Sequence, residues 1–202
     1  MIETIHSTND SKNSNMHPQR TGRTLMRIRL IVATLLLLAS VGVAQKPAAD
    51  TWAPLRHLVG SWEGTGNGQP GLSKVQREYR LVLNDKFLHV QNRSIYDPQP
   101  KSPKGETHED WGMISFDKSR KQFVMRQFHV EGFVNQYVNT NTSADGKTIV
   151  FTSESIENIP TGFRARETYR MLGPDEFTEV FEIAGPGKDF EVYSDGHFKR
   201  KK

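Results

Sequence analysis

From residue 61 onward, hydrophobic and polar residues alternate along the chain, and short clusters of turn-forming residues interrupt the alternation. A period of two is typical of β-strands that bury one face. Before this region, Trp52, Leu55 and Leu58 have helical spacing, which predicts one or two helical turns ending at Gly60. The alternation predicts ten strands, at about 61–68, 73–83, 86–96, 106–116, 121–130, 133–142, 147–155, 162–172, 175–183 and 189–199.

The lengths of the predicted turns determine how these strands should pair. Most turns are too short to contain a crossover helix, so successive strands should be antiparallel neighbours. Only residues 97–105, which include three prolines, form a longer loop. A meander of ten strands curls, and closure removes its exposed edges. We therefore predict an all-β fold, a ten-stranded antiparallel up-and-down barrel that is wide enough to enclose a cavity.

Three of the predicted strands carry polar side chains among aromatic ones on a single face. If these faces point inward, the cavity is partly polar; if they point outward, they are ordinary solvated surfaces. Alternation alone leaves both orientations open. The three faces are Phe87, His89, Gln91, Arg93 and Ile95; Phe123, Met125, Gln127 and His129; and Phe133, Asn135, Tyr137 and Asn139.

The N-terminal region has the pattern of a secretory signal peptide. Two arginines follow Met26, an apolar run covers 30–43, and small residues at 42–44 form a cleavage site. We predict a signal peptide at 26–44, with an uncleaved anchor as the alternative, and a periplasmic or secreted protein without stable membrane insertion after cleavage. Residues 1–25 are interpreted as disordered or as a misassigned start. Removing 44 of the 202 residues leaves 158 for a single domain at 45–202.

Charge and cysteine content exclude several classes of function. The first 44 residues hold five of the 27 basic and two of the 23 acidic residues, so the remainder has 22 and 21, a net charge of +1. This balance argues against a nucleic-acid partner, which requires a clustered excess of cations. The chain has no cysteine, which excludes disulfides, thiolate catalysis and zinc–thiolate sites.

The first predicted strand carries the most specific motif, "GSWEGTGNG". Glycine within a strand marks a bend or the close approach of a neighbour or ligand. The spacing resembles the G-x-W-x-G-x-G-x-G signature of the nitrobindin-like heme-binding β-barrels, a calycin-like group related in shape to fatty-acid-binding proteins and lipocalins. The resemblance implies a barrel that holds heme, with an iron ligand on the last strand. The matching residues are Gly60, Trp62, Gly64, Gly66 and Gly68.

In that family the iron ligand is a histidine on the last strand, and here the aligned position is Tyr193. A tyrosine oxygen can ligate heme iron, so the resemblance makes Tyr193 the first candidate and His197 the second. A bulge at 194–196 would turn Tyr193 inward. Strict alternation would instead place inward Phe190, Val192 and Phe198.

Other residues are weaker candidates for contacts with a cofactor. Trp62 should close one end of the barrel, and Gly64 and Gly66 would let a flat ligand or a neighbouring strand come close. His129 and His89 are further candidates, although hydrogen-bonded structural histidines are the alternative interpretation.

Two clusters of polar residues are compatible with binding sites as well as with solvated surfaces. His108 and Asp110 share one strand face, which is too few ligands for a metal site by itself. A row of arginines on the eighth strand is interpreted as an outer face, with a carboxylate clamp as the alternative. The row consists of Arg164, Arg166 and Arg170.

These observations favour an exported barrel that binds a small hydrophobic or amphipathic ligand, with heme as the specific candidate. No catalytic residues are identified, because the sequence has neither a G-x-S-x-G motif nor a phosphate loop. The alternatives are a carrier of a lipophilic ligand other than heme and a lipocalin-like domain with lyase or isomerase activity.

The predicted signal peptide at 26–44 leads to a first testable prediction. Protein isolated from its native host should begin at Gln45, because the small residues before it form the cleavage site. Mass spectrometry of the intact protein measures this directly. An exported chain that retains residues 1–25 would contradict both the signal peptide and the proposed misassigned start.

Overall fold

The computed structural model describes residues 50–202, so the predictions for 1–25 and 26–44 fall outside the described residues. The predicted helical segment forms a single 3₁₀ turn at Arg56–Leu58. In residues 50–202, no helix has the length and apolar character needed to cross a membrane. The strands are β1 Gly60–Gly68, β2 Ser73–Val82, β3 Phe87–Tyr96, β4 Glu106–Asp117, β5 Gln122–His129, β6 Val134–Thr142, β7 Thr148–Glu157, β8 Arg164–Gly173, β9 Glu176–Ala184 and β10 Glu191–Arg200.

These strands form one closed antiparallel barrel in which each strand pairs with its neighbours in sequence. The last strand, β10, pairs with β1 and so closes the sheet. The predicted fold class is confirmed, and every predicted strand lies within two residues of its observed bounds. Alternation identified the strands well because one face of each is buried against the interior.

Two glycines of β1, Gly64 and Gly68, face β10 at the seam where the barrel closes. A Cβ atom on Gly64 would lie 2.1 Å from the carbonyl oxygen of His197, and one on Gly68 would lie 2.3 Å from that of Tyr193. On Gly66 it would lie 2.6 Å from Ser73 Oγ. The glycine motif therefore admits a neighbouring strand: β10 approaches β1 more closely than any side chain would permit.

Trp62 closes one end of the barrel. Its side chain is 1% exposed, and its indole N–H donates a hydrogen bond of 2.7 Å to the Leu58 carbonyl. Phe177 meets the indole edge-on at 4.7 Å between centroids, and the Arg200 guanidinium lies 4.2 Å from the ring centroid. Arg200 also donates hydrogen bonds to the carbonyls of His57 and Val59. These bonds hold the end of β10 against the 3₁₀ turn.

The apolar core fills this closed end, and the inward faces become polar towards the opposite end. On β5 and β6 the inward faces include Met125 and Tyr137, in agreement with the inward alternative for those strands. On β3 the inward face carries Leu88 and Val90, so the alternative that placed His89 inward is wrong. His89 packs edge-on against the exposed Trp111 outside the barrel. Both faces of β3 mix polar and apolar residues, and alternation could not distinguish them.

Replacing Trp62 with alanine should lower the free energy of unfolding by about 3–5 kcal/mol, because it removes a fully buried aromatic ring from the closed end. Denaturant unfolding measures the change. Trp111, which is 56% exposed, provides a matched control, and Trp111→Ala should cost less than about 1 kcal/mol. Equal losses for the two variants would contradict the role of Trp62 in the core.

Candidate functional site

A cavity of about 490 Å³ occupies the end of the barrel opposite Trp62. Its mouth is bordered by exposed groups such as Glu106 and Glu131, and its interior is formed by β2–β10. One side is apolar and the other is polar. The apolar side consists of Phe133, Ile156, Ile159, Phe163, Phe181 and Ile183.

An ion pair between Arg77 and Glu179 forms the floor of the cavity. Arg77 Nη1 donates to Glu179 Oε2 at 2.6 Å, and Arg77 Nε donates to Asn92 Oδ1 at 3.0 Å. The guanidinium also lies 4.6 Å from the centroid of the Phe198 ring below it. Burial alone would lower the pKa of Arg77, but the Glu179 carboxylate raises it, so the guanidinium remains charged. The ion pair therefore separates the apolar core from the polar cavity.

Glu167 is a second buried carboxyl group beside this floor. Burial raises the pKa of Glu167 to about 8, and the nearby Glu179 adds to the increase. The Tyr169 hydroxyl donates a short hydrogen bond to Glu167, and this contact acts in the opposite direction. The raised pKa favours the neutral, protonated form of Glu167 at pH 7.

Asp110 organises the polar side of the cavity. Its carboxylate accepts hydrogen bonds from Asn92 at 2.8 Å and from Gln127 at 3.0 Å, and His108 Nε2 lies 3.5 Å from it. Burial would raise the pKa of Asp110, but the interaction with His108 and the charge of Arg77 hold it below its usual value. Asp110 is therefore a buried carboxylate with its charge balanced by neighbours.

Two histidines at the mouth have opposite protonation states. The hydrogen bonds to Asp110 and to Glu131, the latter 2.8 Å long, raise the pKa of His108 to about 9. Burial lowers the pKa of His129 to about 4, so its ring is neutral at pH 7. His129 stacks on Phe133 with 4.0 Å between ring centroids. The mouth thus offers one imidazolium and one neutral imidazole.

The structure places Tyr193 in the lining of the cavity. The register between β10 and β9 shifts between Val192 and Ser194, so Tyr193 itself occupies the bulge, just before the predicted site at 194–196. Phe198 points inward as strict alternation predicted, whereas Val192 is 55% exposed and faces outward, which corrects that part of the prediction. The bulge inserts one extra residue, so positions before and after it alternate out of phase. Val192 and Phe198 therefore point to opposite faces of the strand.

The other candidate residues lie outside the cavity, apart from His129. His197 is on the outer face of β10, where its Nε2 lies 2.7 Å from Glu176. His89 is also outside, Trp62 belongs to the closed end, and Gly64 lies in the seam. The structure therefore brings together only Tyr193 and His129 from that set.

The arginine row on β8 lies on the outer face, in agreement with the first interpretation. Arg166 forms two hydrogen bonds of 2.6 Å with Glu182, and Arg164 donates to the Lys188 carbonyl. The inward face of the same strand carries Ala165 and Tyr169.

The charged residues of the floor were missed by the sequence analysis. The available signal was a charged residue at an inward position between two apolar ones with the same parity. Three residues satisfy this condition: Arg77 between Val75 and Tyr79, Glu167 between Ala165 and Tyr169, and Glu179 between Phe177 and Phe181.

Comparison with known proteins places this architecture among solved barrels. No family model and no curated protein matches the chain. The crystal structure of Rv2717c from M. tuberculosis matches with a TM-score of 0.60 and 18% identity, covering 76% of this chain and 99% of that one. The S-type phycobiliprotein lyase CPES from Guillardia theta gives a TM-score of 0.49 and 15% identity, covering 73% and 90% of the two chains. The likeness to Rv2717c supports the overall fold, a closed ten-stranded antiparallel barrel.

The neutral carboxylic acid of Glu167 predicts a specific pH dependence of stability. The unfolded chain releases this proton near the ordinary glutamate pKa, whereas the folded chain keeps it until about pH 8. The contribution of Glu167 to folding therefore falls as the pH rises between these two values. Relative to Glu167→Gln, the unaltered protein should lose at least about 1 kcal/mol between pH 5 and pH 8.

Urea unfolding at the two pH values measures this difference, and Glu63 on the exposed face of β1 provides the control. Glu63→Gln should follow the pH dependence of the unaltered protein. A Glu167→Gln variant that also followed it would contradict the neutral state of Glu167.

Proposed function

We propose that this barrel binds a small amphipathic molecule, with its apolar body against one side of the cavity and its polar end on the other. The observation that carries the proposal is the division of the cavity of about 490 Å³ into two chemically different sides. Binding sites for small molecules commonly combine an apolar wall with a few fixed polar groups. The leader supports the further proposal that the protein acts after export, in the periplasm or outside the cell.

The charges of the lining favour a ligand whose polar end is neutral or cationic. Arg77 is paired with Glu179, and His108 lies between Asp110 and Glu131. Among the described lining residues, no cation remains without an acidic partner to receive a ligand carboxylate. An anionic end group would therefore have to displace an existing ion pair, which is costly in a buried site.

Two acceptors in the lining indicate that the polar end donates hydrogen bonds. Gln127 Oε1 and Asn135 Oδ1 are buried without a hydrogen-bond partner among the described residues. Both residues line the cavity. Because a buried acceptor without a partner costs free energy, a ligand N–H or O–H would bind favourably to either side chain once that side chain turned its oxygen towards the cavity. A primary amine or an alcohol on an apolar body meets these requirements.

Heme is a second candidate, and the position of Tyr193 favours it. Tyr193 lines the cavity, and a phenol oxygen is a ligand type that ferric heme iron accepts, so Tyr193 would be the residue to hold the iron; heme would supply a centre for binding small gaseous or anionic ligands. The apolar side would pack against the macrocycle. The two carboxylate groups of heme would have to lie at the mouth of the cavity, because the Arg77–Glu179 ion pair already occupies the floor.

The decisive experiment compares three ligands with the same alkyl chain, a primary amine, an alcohol and a carboxylate, by calorimetric titration of the purified full-length chain. The carboxylate should bind at least about tenfold more weakly, equivalent to about 1.4 kcal/mol. Phe163→Ser at the mouth should weaken binding of the amine about fivefold, whereas Val192→Ser on the outer face should leave it unchanged. Equal affinities for the three ligands, or no effect of Phe163→Ser, would contradict the proposal.

Hemin is included in the same titration, followed by absorption. Binding through Tyr193 should give a ferric spectrum that Tyr193→Phe abolishes and His197→Ala preserves. Hemin binding that is unaffected by Tyr193→Phe would exclude Tyr193 as the ligand. Failure of hemin to bind would remove the second candidate without affecting the first.

A further inference from the structure

Three metal-ligating side chains converge at the mouth of the cavity. His108 lies on β4, His129 ends β5, and Glu131 follows in the next turn. One ring nitrogen of each histidine and one carboxylate oxygen lie within 4.8 Å of one another. The pairing of β4 with β5 brings the three together, since Asp110 lies opposite His129 in the register.

Each imidazole ring has one nitrogen turned towards the cluster and a neighbouring side chain next to the other nitrogen. His108 Nδ1 lies 2.8 Å from Glu131, and its Nε2 lies 3.5 Å from Asp110. His129 Nε2 lies 3.1 Å from the Asn135 amide, which leaves Nδ1 buried without a partner among the described residues. In metal sites, the second nitrogen of a ligating histidine is usually held by a carboxylate, a carbonyl or water. Asp110 stands in the position of such a supporting group for His108. Asn135 does so for His129 once its amide is turned to present Oδ1, the oxygen that otherwise has no partner among the described residues.

The ligand types determine which metals suit this site. Two imidazoles with one carboxylate are ligands for Zn²⁺ and similar transition metals, whereas Mg²⁺ prefers oxygen ligands throughout. Three protein ligands leave a fourth position for water or another molecule. The carboxylates of the lining, Glu106 and Asp110 among them, would further favour a bound cation.

We propose that His108, His129 and Glu131 bind a divalent transition metal ion, with zinc as the representative, at the mouth of the cavity. Asp110 and Asn135 orient the two imidazoles. The metal ion replaces the proton between His108 Nδ1 and Glu131, this proton is released to solvent, and both atoms then become ligands. The three side chains belong to the lining of the same cavity, but the proposal does not depend on the amphipathic ligand, because the ligand atoms are defined by the protein alone.

The test uses the full-length chain without an affinity tag, after treatment with a chelator. Calorimetric titration with Zn²⁺ should show one equivalent bound, and Co²⁺ should produce a visible absorption band. His129→Ala and Glu131→Gln should each weaken Zn²⁺ binding about 100-fold, which is the upper range for loss of a supporting group and a conservative figure for loss of a ligand. Mg²⁺ should not compete.

The outer face offers a matched control. His197 and Glu176 also form a histidine–glutamate pair, 2.7 Å apart, and they are not part of this three-residue cluster. His197→Ala should therefore leave Zn²⁺ affinity unchanged. The thermal midpoint of each variant without metal shows that it is folded, and Glu131 is exposed, so Glu131→Gln should retain that midpoint.

Absence of Zn²⁺ binding would overturn the proposal, and the three side chains would then be an ion pair beside a neutral histidine. Binding that persists unchanged in folded Glu131→Gln and His129→Ala would also overturn it. Neither result affects the alkyl-ligand titration, so the two proposals can fail separately.

Discussion

Closure of the barrel depends on the contact between β1 and β10, and that contact requires the inward positions of β1 after Trp62 to be glycines. Gly64 lies opposite Phe198 in the register, and the Phe198 ring leans over Gly196, where a Cβ would be only 2.6 Å from the ring. An aromatic side chain thus fills the space that the glycines leave. The same ring supports Arg77 from below. The seam therefore positions the floor of the cavity as well as closing the sheet.

The polar interior is maintained at a cost to stability. Burying Arg77 and Glu179 removes two charges from water, and replacing such a pair by apolar side chains is often neutral or stabilising. Glu167 reduces this cost by remaining protonated, and Asp110 does so by accepting hydrogen bonds from Asn92 and Gln127. A barrel that only had to fold could fill this end with apolar residues, as it does around Trp62. The retained polar groups are consistent with selection for binding.

The sequence predicted the fold more completely than the site, and the reason is physical. Alternation and turn residues depend on neighbours along the chain, so they located all ten strands. Which face of a strand points inward depends on the whole barrel, and this information was missing for β3 and, because of the bulge at Tyr193, for β10. The pairing of Arg77 with Glu179 joins residues that are 102 positions apart, and no local pattern reports such a contact.

The closed end at Trp62 has a consequence for exchange kinetics. Among residues 50–202, the 3₁₀ turn and Arg200 cover that end, and the cavity lies at the opposite end, bordered by the exposed Glu106 and Glu131. For the ligand proposed above, a molecule entering through the mouth would have to wait until the bound one had left, because it could not reach that one from the covered end. The rate at which the ligand dissociates would then depend on the bound complex alone and not on the concentration of a competing ligand.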